Sequence, residues 1–229
     1  GAVTPLQDTE QVATLQADGR VLAADVVSGL HVPPQDNSSM DGYAVRCADV
    51  AAAGATLTVS QRIAAGAAGT ELLPGTAARI FTGAPIPPGA DAVVMQEDCT
   101  AADGAQGLPC VTVNSVPAAG QWIRRAGEDV TRGAVVLARG QRLDPAALGL
   151  VASVGMAELS VVRRPRVALF STGDELVMPG QKAPQDMPPG AIYNSNRFFL
   201  AALLRRLGCE VSDLGIVPDQ RKATVEALR

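Results

Sequence analysis

The chain has 229 residues, 47% hydrophobic and 18% charged, with a net charge of −4 and a single histidine. That is the profile of a globular protein with enough apolar residues for two or more cores. The acidic balance and only 3% aromatic residues argue against a nucleic-acid surface, which needs a basic stripe and stacking platforms.

No run of roughly eighteen apolar residues and no charged-then-apolar leader is present, so neither a membrane span nor a secretory signal is expected. Cys47, Cys99, Cys110 and Cys209 show no C-x-x-C spacing and His31 stands alone. Zinc is therefore unexpected, and reduced thiols in a cytoplasm are the natural state. Arginine dominates the cations, with lysine only at 182 and 222; its planar fork suits oxyanion recognition.

In chain order, VATLQADGRVLAADVVS reads as a helix-like piece stopped by Gly19, then a helix or strand running to Ser28. Pro33 and Pro34 hold the approach to residues 36–46 extended. That stretch, DNSSMDGYAVR, is polar where a core strand would be apolar, and Asp41-Gly42 reads as a tight turn with Gly42 at positive φ. It is either a site rich in side-chain acceptors or an Asx-rich turn that caps its own backbone. Short apolar runs separated by glycine and proline follow: TLTVSQRI, AARIFTG, DAVVMQE and CVTVNSV. Their length and β-branched content predict strands, so residues 32–135 form a β-rich, elongated domain.

Residues 144–155 carry helix signals at both ends: Asp144 as cap, Pro145 at the first helical position, Gly155 as left-handed stop. Apolar residues at 147, 148, 150, 151 and 154 give that helix a buried face. After Arg163-Arg164-Pro165, RVALF reads as a strand buried on both faces. A long proline-rich loop follows, then SNRFFLAALLRRLG as a helix capped by Asn194 or Ser195 and stopped by Gly208, then the strand CEVSDLGIV. This is one right-handed βαβ unit of an incomplete α/β domain.

Ser171, Thr172, Gly173, Asp174 and Glu175 fall at the carboxyl end of RVALF, where ligands of open α/β sheets bind. Asp174 and Glu175 can hold Mg²⁺ or do acid/base work; equally, they can cap a helix. Thr82-Gly83 ends a strand before a loop stiffened by Pro85, Pro87 and Pro88, which serves as a turn or a ligand wall. Glu97 and Asp98 read as a solvated pair. Arg124 and Arg125 precede Glu128 and Asp129 across Gly127, either a hairpin with a surface ion pair or a contact for an oxyanion such as phosphate.

The runs DNSSMDGYAVR, RIFTGAPIPPGADAVVMQE at 79–97, RRAGEDV at 124–130 and FSTGDEL at 170–176 resemble, in this order and spacing, the molybdopterin molybdenumtransferase family, which includes MoeA and the E domain of gephyrin. The resemblance implies a multidomain architecture. A small discontinuous helical or mixed domain spans 1–31 and 136–163, the β-rich domain 32–135, and the first part of a MogA-like, three-layer α/β domain 164–229. It also implies Mg²⁺-dependent insertion of molybdate into adenylylated molybdopterin with release of AMP. Asp41, Thr82, Asp129 and Glu175 match residues implicated in the family's catalysis.

By the same resemblance Glu175 with Asp174 handles Mg²⁺ or phosphate, Ser171, Thr172 and Gly173 belong to the substrate site, and Arg46, Arg124 and Arg125 are candidate oxyanion donors. Family members are homodimers with the cleft between the α/β domain of one subunit and the β-rich domain of the other. Molybdopterin adenylyltransferase and cofactor-acceptor proteins are possible partners. The family's later glycine-rich loop and C-terminal β-barrel have no counterpart in these residues, so the 229-residue chain alone is expected to be inactive. Two rivals are a non-catalytic scaffold related to the gephyrin E domain and a CinA-like hydrolase of nucleotide pyrophosphates.

Overall fold

The structure, a computed structural model, describes Thr4, residues 6–104 and residues 107–228. The first strands are β1 (Thr9–Ala13), β2 (Val26–Val27), β3 (Asn37–Ser38), β4 (Gly42–Val45), β5 (Ala55–Ile63) and β6 (Thr76–Ile80). Next come β7 (Ala92–Met95), β8 (Cys99–Asp103), β9 (Pro109–Val113), β10 (Ile123–Arg124), β11 (Val135–Leu137), α1 (Pro145–Ser153) and β12 (Glu158–Val162). The remainder is β13 (Arg166–Thr172), β14 (Leu176–Val177), β15 (Ile192–Tyr193), α2 (Ser195–Arg206), β16 (Glu210–Val217) and α3 (Arg221–Ala227). These fall into two compact units: residues 26–137 with 153–155, and residues 1–25 with 138–152 and 156–229. No helix among the described residues is long and apolar enough to cross a membrane.

The β-rich unit is built on a six-stranded sheet, order β7-β4-β6-β5-β9-β8, antiparallel except for the parallel pair β5–β6. The four runs read as strands are β5, β6, β7 and β9. Their two-residue alternation makes two cores. Tyr43, Val45, Ala77, Ala92 and Val94 join one, while Ala44, Ala78, Ile80 and Val93 join the other. Every residue of β4 is buried.

Gly42 differs from the turn glycine expected. It opens β4 in extended backbone, absent from the positive-φ glycines, and a Cβ there would sit 1.9 Å from the Val94 carbonyl oxygen. The residue must be glycine because β7 passes too close for any side chain.

In the second unit, the helix-like piece expected from Val12 to Gly19 is instead the end of a strand, residues 9–13, followed by a single 3₁₀ turn at Thr14–Gln16. TEQVA alternates exposed and half-buried positions and pairs antiparallel with β12, so period two wins over local helix propensity. Arg20, only 8% exposed, donates to Glu10 (2.5 Å) and to the Val162 carbonyl (2.9 Å), tying the two strands. Asp144 caps α1 as expected, its Oδ1 accepting from Ala147 N at 2.8 Å, and Gly155 takes φ +78°.

β13 and β16 form a two-stranded parallel sheet with α2 between them in sequence. RVALF is not buried on both faces: only Leu169 of β13 is buried, because among the described residues β16 is its single pairing neighbour. Asn194 caps α2 by accepting from Arg197 N, and Gly208 ends it at φ +90°. Phe198 and Phe199 on α2 are exposed.

Candidate functional site

The run DNSSMDG is laced to two other loops of the β-rich unit. Only Ser38 behaves as a local cap, its hydroxyl donating to Met40 O at 2.6 Å. Asp36 reaches across 89 residues to Arg125 (2.6 Å) and accepts from Ala126 N (2.8 Å). Ser39 donates through both its amide (3.0 Å) and its hydroxyl (2.9 Å) to the Trp122 carbonyl. Asp41 Oδ1 accepts from both the amide (2.8 Å) and the hydroxyl (2.7 Å) of Thr82.

These bonds set the charge state of the loop. The Thr82 amide, then its hydroxyl, hold the Asp41 carboxyl below the ordinary aspartate value, with the positive charge of Arg79 adding to the effect against a small opposing burial. Hydrogen bonds to the ionised form stabilise it. The Ala126 amide does the same for Asp36, with Arg125 assisting. Asp41 is thus an anchored carboxylate, suited to orienting a donor or a bound cation, not to giving up a proton at neutral pH.

The Arg124–Asp129 hairpin carries the ion pair read from sequence. Arg124 donates to Asp129 at 2.6 Å and lies 3.7 Å from Glu128, and Asp129 drives the Arg124 pKa upward. Gly127 makes the turn at φ +75°. The Arg125 side chain pairs with Asp36 while its backbone amide donates to Glu128 (2.9 Å), and Arg46 stands 3.6 Å from Asp49. Each of the three arginines chosen as oxyanion donors is therefore already matched to a carboxylate.

Trp122 escaped the sequence reading. Among the described residues it is the non-glycine residue with positive φ, +54°, a strained conformation of the kind that gathers at binding loops, and its carbonyl receives Ser39. A lone tryptophan beside Ile123 gives no such signal.

The other group of candidates lies in the second unit. Ser171 and Thr172 end β13, and Gly173 follows at φ +144°. No helix begins here: Leu176 N donates to Gly173 O in a turn that leads into β14, so Asp174 and Glu175 do not cap a helix as one sequence alternative had it. Glu175 folds its carboxylate back over Gly173, where a Cβ would lie 2.6 Å from Oε2. It lines a cavity of about 320 Å³ together with Ser171, Thr172, Tyr193, Asn194 and Ser195. Asp174 is exposed and does not line that cavity.

Asn194, read only as a cap, is 2% exposed. Its Oδ1 is held by Arg197 N and Ser171 Oγ, which leaves Nδ2 buried without an acceptor. Such an orphaned donor costs ~1–3 kcal/mol. Among the described residues no three His, Cys, Asp or Glu side chains converge as a metal cage. The cavity's oxygen-rich lining, with one carboxylate, instead matches the way Mg²⁺ is held by one or two carboxylates together with substrate phosphates.

The chain thus combines a β-rich unit that braces acidic and hydroxyl loops with a second unit that holds a parallel α/β segment and polar groups at the end of β13. Comparison with known proteins makes the class specific. Residues 1–155 match the family described as MoeA N-terminal region (domain I and II), and residues 168–229 match the probable molybdopterin binding domain. The chain is 44% identical to the molybdopterin molybdenumtransferase of Haemophilus influenzae over 92% of its length, covering 50% of that protein. It is 47% identical to molybdopterin molybdenumtransferase 2 of Mycobacterium tuberculosis, covering 87% of this chain and 48% of the relative. A crystal structure of the molybdopterin biosynthesis MoeA protein of Pyrococcus horikoshii superposes with a TM-score of 0.86 at 33% identity, covering 97% of this chain and 58% of that one.

The chain belongs to the MoeA family. It spans about half the length of the curated relatives it matches.

Proposed function

We propose that the protein acts in molybdenum cofactor biosynthesis, inserting molybdate into adenylylated molybdopterin with release of AMP, in the cytoplasm. The observation that carries this reading is the Asp41–Thr82 pair, a carboxylate locked by two donors from a distant loop, in a chain matched along 1–155 to the MoeA N-terminal region. Asp41, Thr82 and Asp129 position the substrate from the β-rich unit, while Ser171, Thr172 and Glu175 bind its pyrophosphate in the α/β segment. The two sets act on one substrate within a homodimer. Glu175 would hold Mg²⁺, with Asp174 available beside it, and when bound the ion neutralises phosphate charge. Molybdopterin adenylyltransferase upstream and cofactor-acceptor proteins downstream are the proposed partners.

The match over the β-rich unit disfavours a CinA-like pyrophosphate hydrolase, for which that unit is not expected. The full-length protein, incubated with adenylylated molybdopterin with and without molybdate, tests the proposal. AMP release that depends on molybdate is the expected result; release independent of molybdate, or from unrelated dinucleotides, refutes it.

A further inference from the structure

With Arg46, Arg124 and Arg125 each matched to a carboxylate, the uncompensated positive charge of the sheet lies elsewhere. Arg62 and Arg79 sit in direct register across β5 and β6, and among the described residues neither has a carboxylate within ion-pair distance. Like charges placed opposite one another on adjacent strands are destabilising. Simple alternation along β5 would not produce this pairing.

The register of β5 against β6 shifts between Val59 and Gln61. Before the shift, Leu57 points to the core of Tyr43 and Val45; after it, Ile63 points to the opposite core of Ala44 and Ile80. Arg62 consequently lands on the face of Tyr43 and Arg79, where an unbroken strand would have sent it to the other side. A bulge that re-aims one side chain is a device found beside functional sites.

Aromatic rings hold both guanidinium groups. Arg62 Cζ lies 4.4 Å and Arg79 Cζ 4.5 Å from the centre of the Phe81 ring, and Arg79 also lies 5.2 Å from that of Tyr43. Arg79 is further fixed by donating to the Gly42 carbonyl (2.7 Å) and to Gln96 Oε1 (2.6 Å). Arg62 and Arg79 line a concavity of about 620 Å³, with Asp103 on its wall outside ion-pair reach of both. Stacking leaves the N–H edge of Arg62 open to an anion, while Arg79, whose Nη1 donates to Gly42 O and Ile80 O and whose Nη2 donates to Gln96, offers its remaining Nη2 hydrogen and Nε; held in place, the pair loses little freedom on binding.

We propose that Arg62 and Arg79 form a binding site for a tetrahedral oxoanion, supplied either as a free molybdate-type dianion or as the phosphoryl group of a larger substrate. The choice of probes rests on the function proposed above; the site itself rests on the arginine pair.

Calorimetric titration of the full-length protein with sodium molybdate and, separately, with AMP at constant ionic strength tests it. Each of Arg62→Gln and Arg79→Gln should weaken the tighter of the two by about tenfold or more, the worth of one charge-assisted fork, with thermal unfolding of the exposed Arg62 variant no lower than wild type, since it removes a like-charge pair. Arg132→Gln should leave binding as it was, and Asp103→Asn should tighten it. Tighter binding of molybdate supports the free-oxoanion source, and tighter binding of AMP the phosphoryl source. No saturable binding, or binding unchanged in both arginine variants, overturns the proposal. Binding that depends on both arginines in a protein that fails the AMP-release assay would sink the proposed reaction while leaving this site standing.

Discussion

Gly42→Ala places a methyl group against backbone, where nothing flexible can yield. The new Cβ would lie 1.9 Å from Val94 O, 2.9 Å from Val94 C and 3.1 Å from Met95 Cα, against an ordinary contact of at least 3.4 Å. β7 must therefore recede by about 1.5 Å, opening a ladder that pairs Gly42–Val45 with Ala92–Met95. Overpacking of this kind costs ~1–3 kcal/mol, and one or two weakened ladder bonds add ~1 kcal/mol each, for a loss of about 3 kcal/mol. Urea unfolding measures it directly, with Gly54→Ala as the reference. Gly54 has φ +89° and open space around it, so its alanine bears only the left-handed strain of ~1–2 kcal/mol. If Gly42→Ala unfolds no more easily than Gly54→Ala, close approach is not what keeps residue 42 a glycine.

Other expectations follow from the same geometry. Thr82→Val removes one donor to Asp41, so the Asp41 carboxyl should titrate at higher pH by NMR while remaining below its ordinary value through the amide bond that survives. Asp36, Asp41 and Asp213 all have lowered pKa values. The stability they lend is complete above the ordinary aspartate range and is lost as pH falls through their lower folded values, so wild type should lose stability below about pH 4; a flat stability profile from pH 5 to 2 would contradict this. Burial first, then neighbouring acids, raises the thiols of Cys47 and Cys99 to about 11, so both should react with a thiolate-specific reagent at pH 8 much more slowly than free cysteine. Asp144→Ala should cost about 1 kcal/mol through loss of the α1 cap, read from the urea midpoint.

Where local chemistry decides the outcome, the residues were readable in advance. Asp144, Gly155, Asn194 and Gly208 punctuate helices as their types predict, and β5, β6, β7 and β9 follow from β-branched runs between turns. Asp41 and Thr82, chosen through the family resemblance, do meet. Val12 and Ala13 misled because their partners on β12 lie 147 and 145 positions away, and tertiary pairing overrides a weak helical preference. Gly42 was recognised as special for the wrong reason, since a neighbouring strand's approach leaves no mark in the local sequence. Arg62 was invisible for a related cause: one supernumerary residue in β5 reverses the parity of everything after it, and alternation counted along a sequence assumes no such slip. Asn194 could be read as a cap, but not as the bearer of a stranded amide.

The three loops stitched together by Asp36, Ser39 and Asp41 share their restraints, so none can swing out by itself. Exchange of the amides that make these bonds, Thr82, Ser39 and Ala126, should accordingly follow one common opening event. A molecule gripping any one of them would slow all three at once, which makes the cluster a mechanical relay: contact made at one rim is felt at the others without a change of fold.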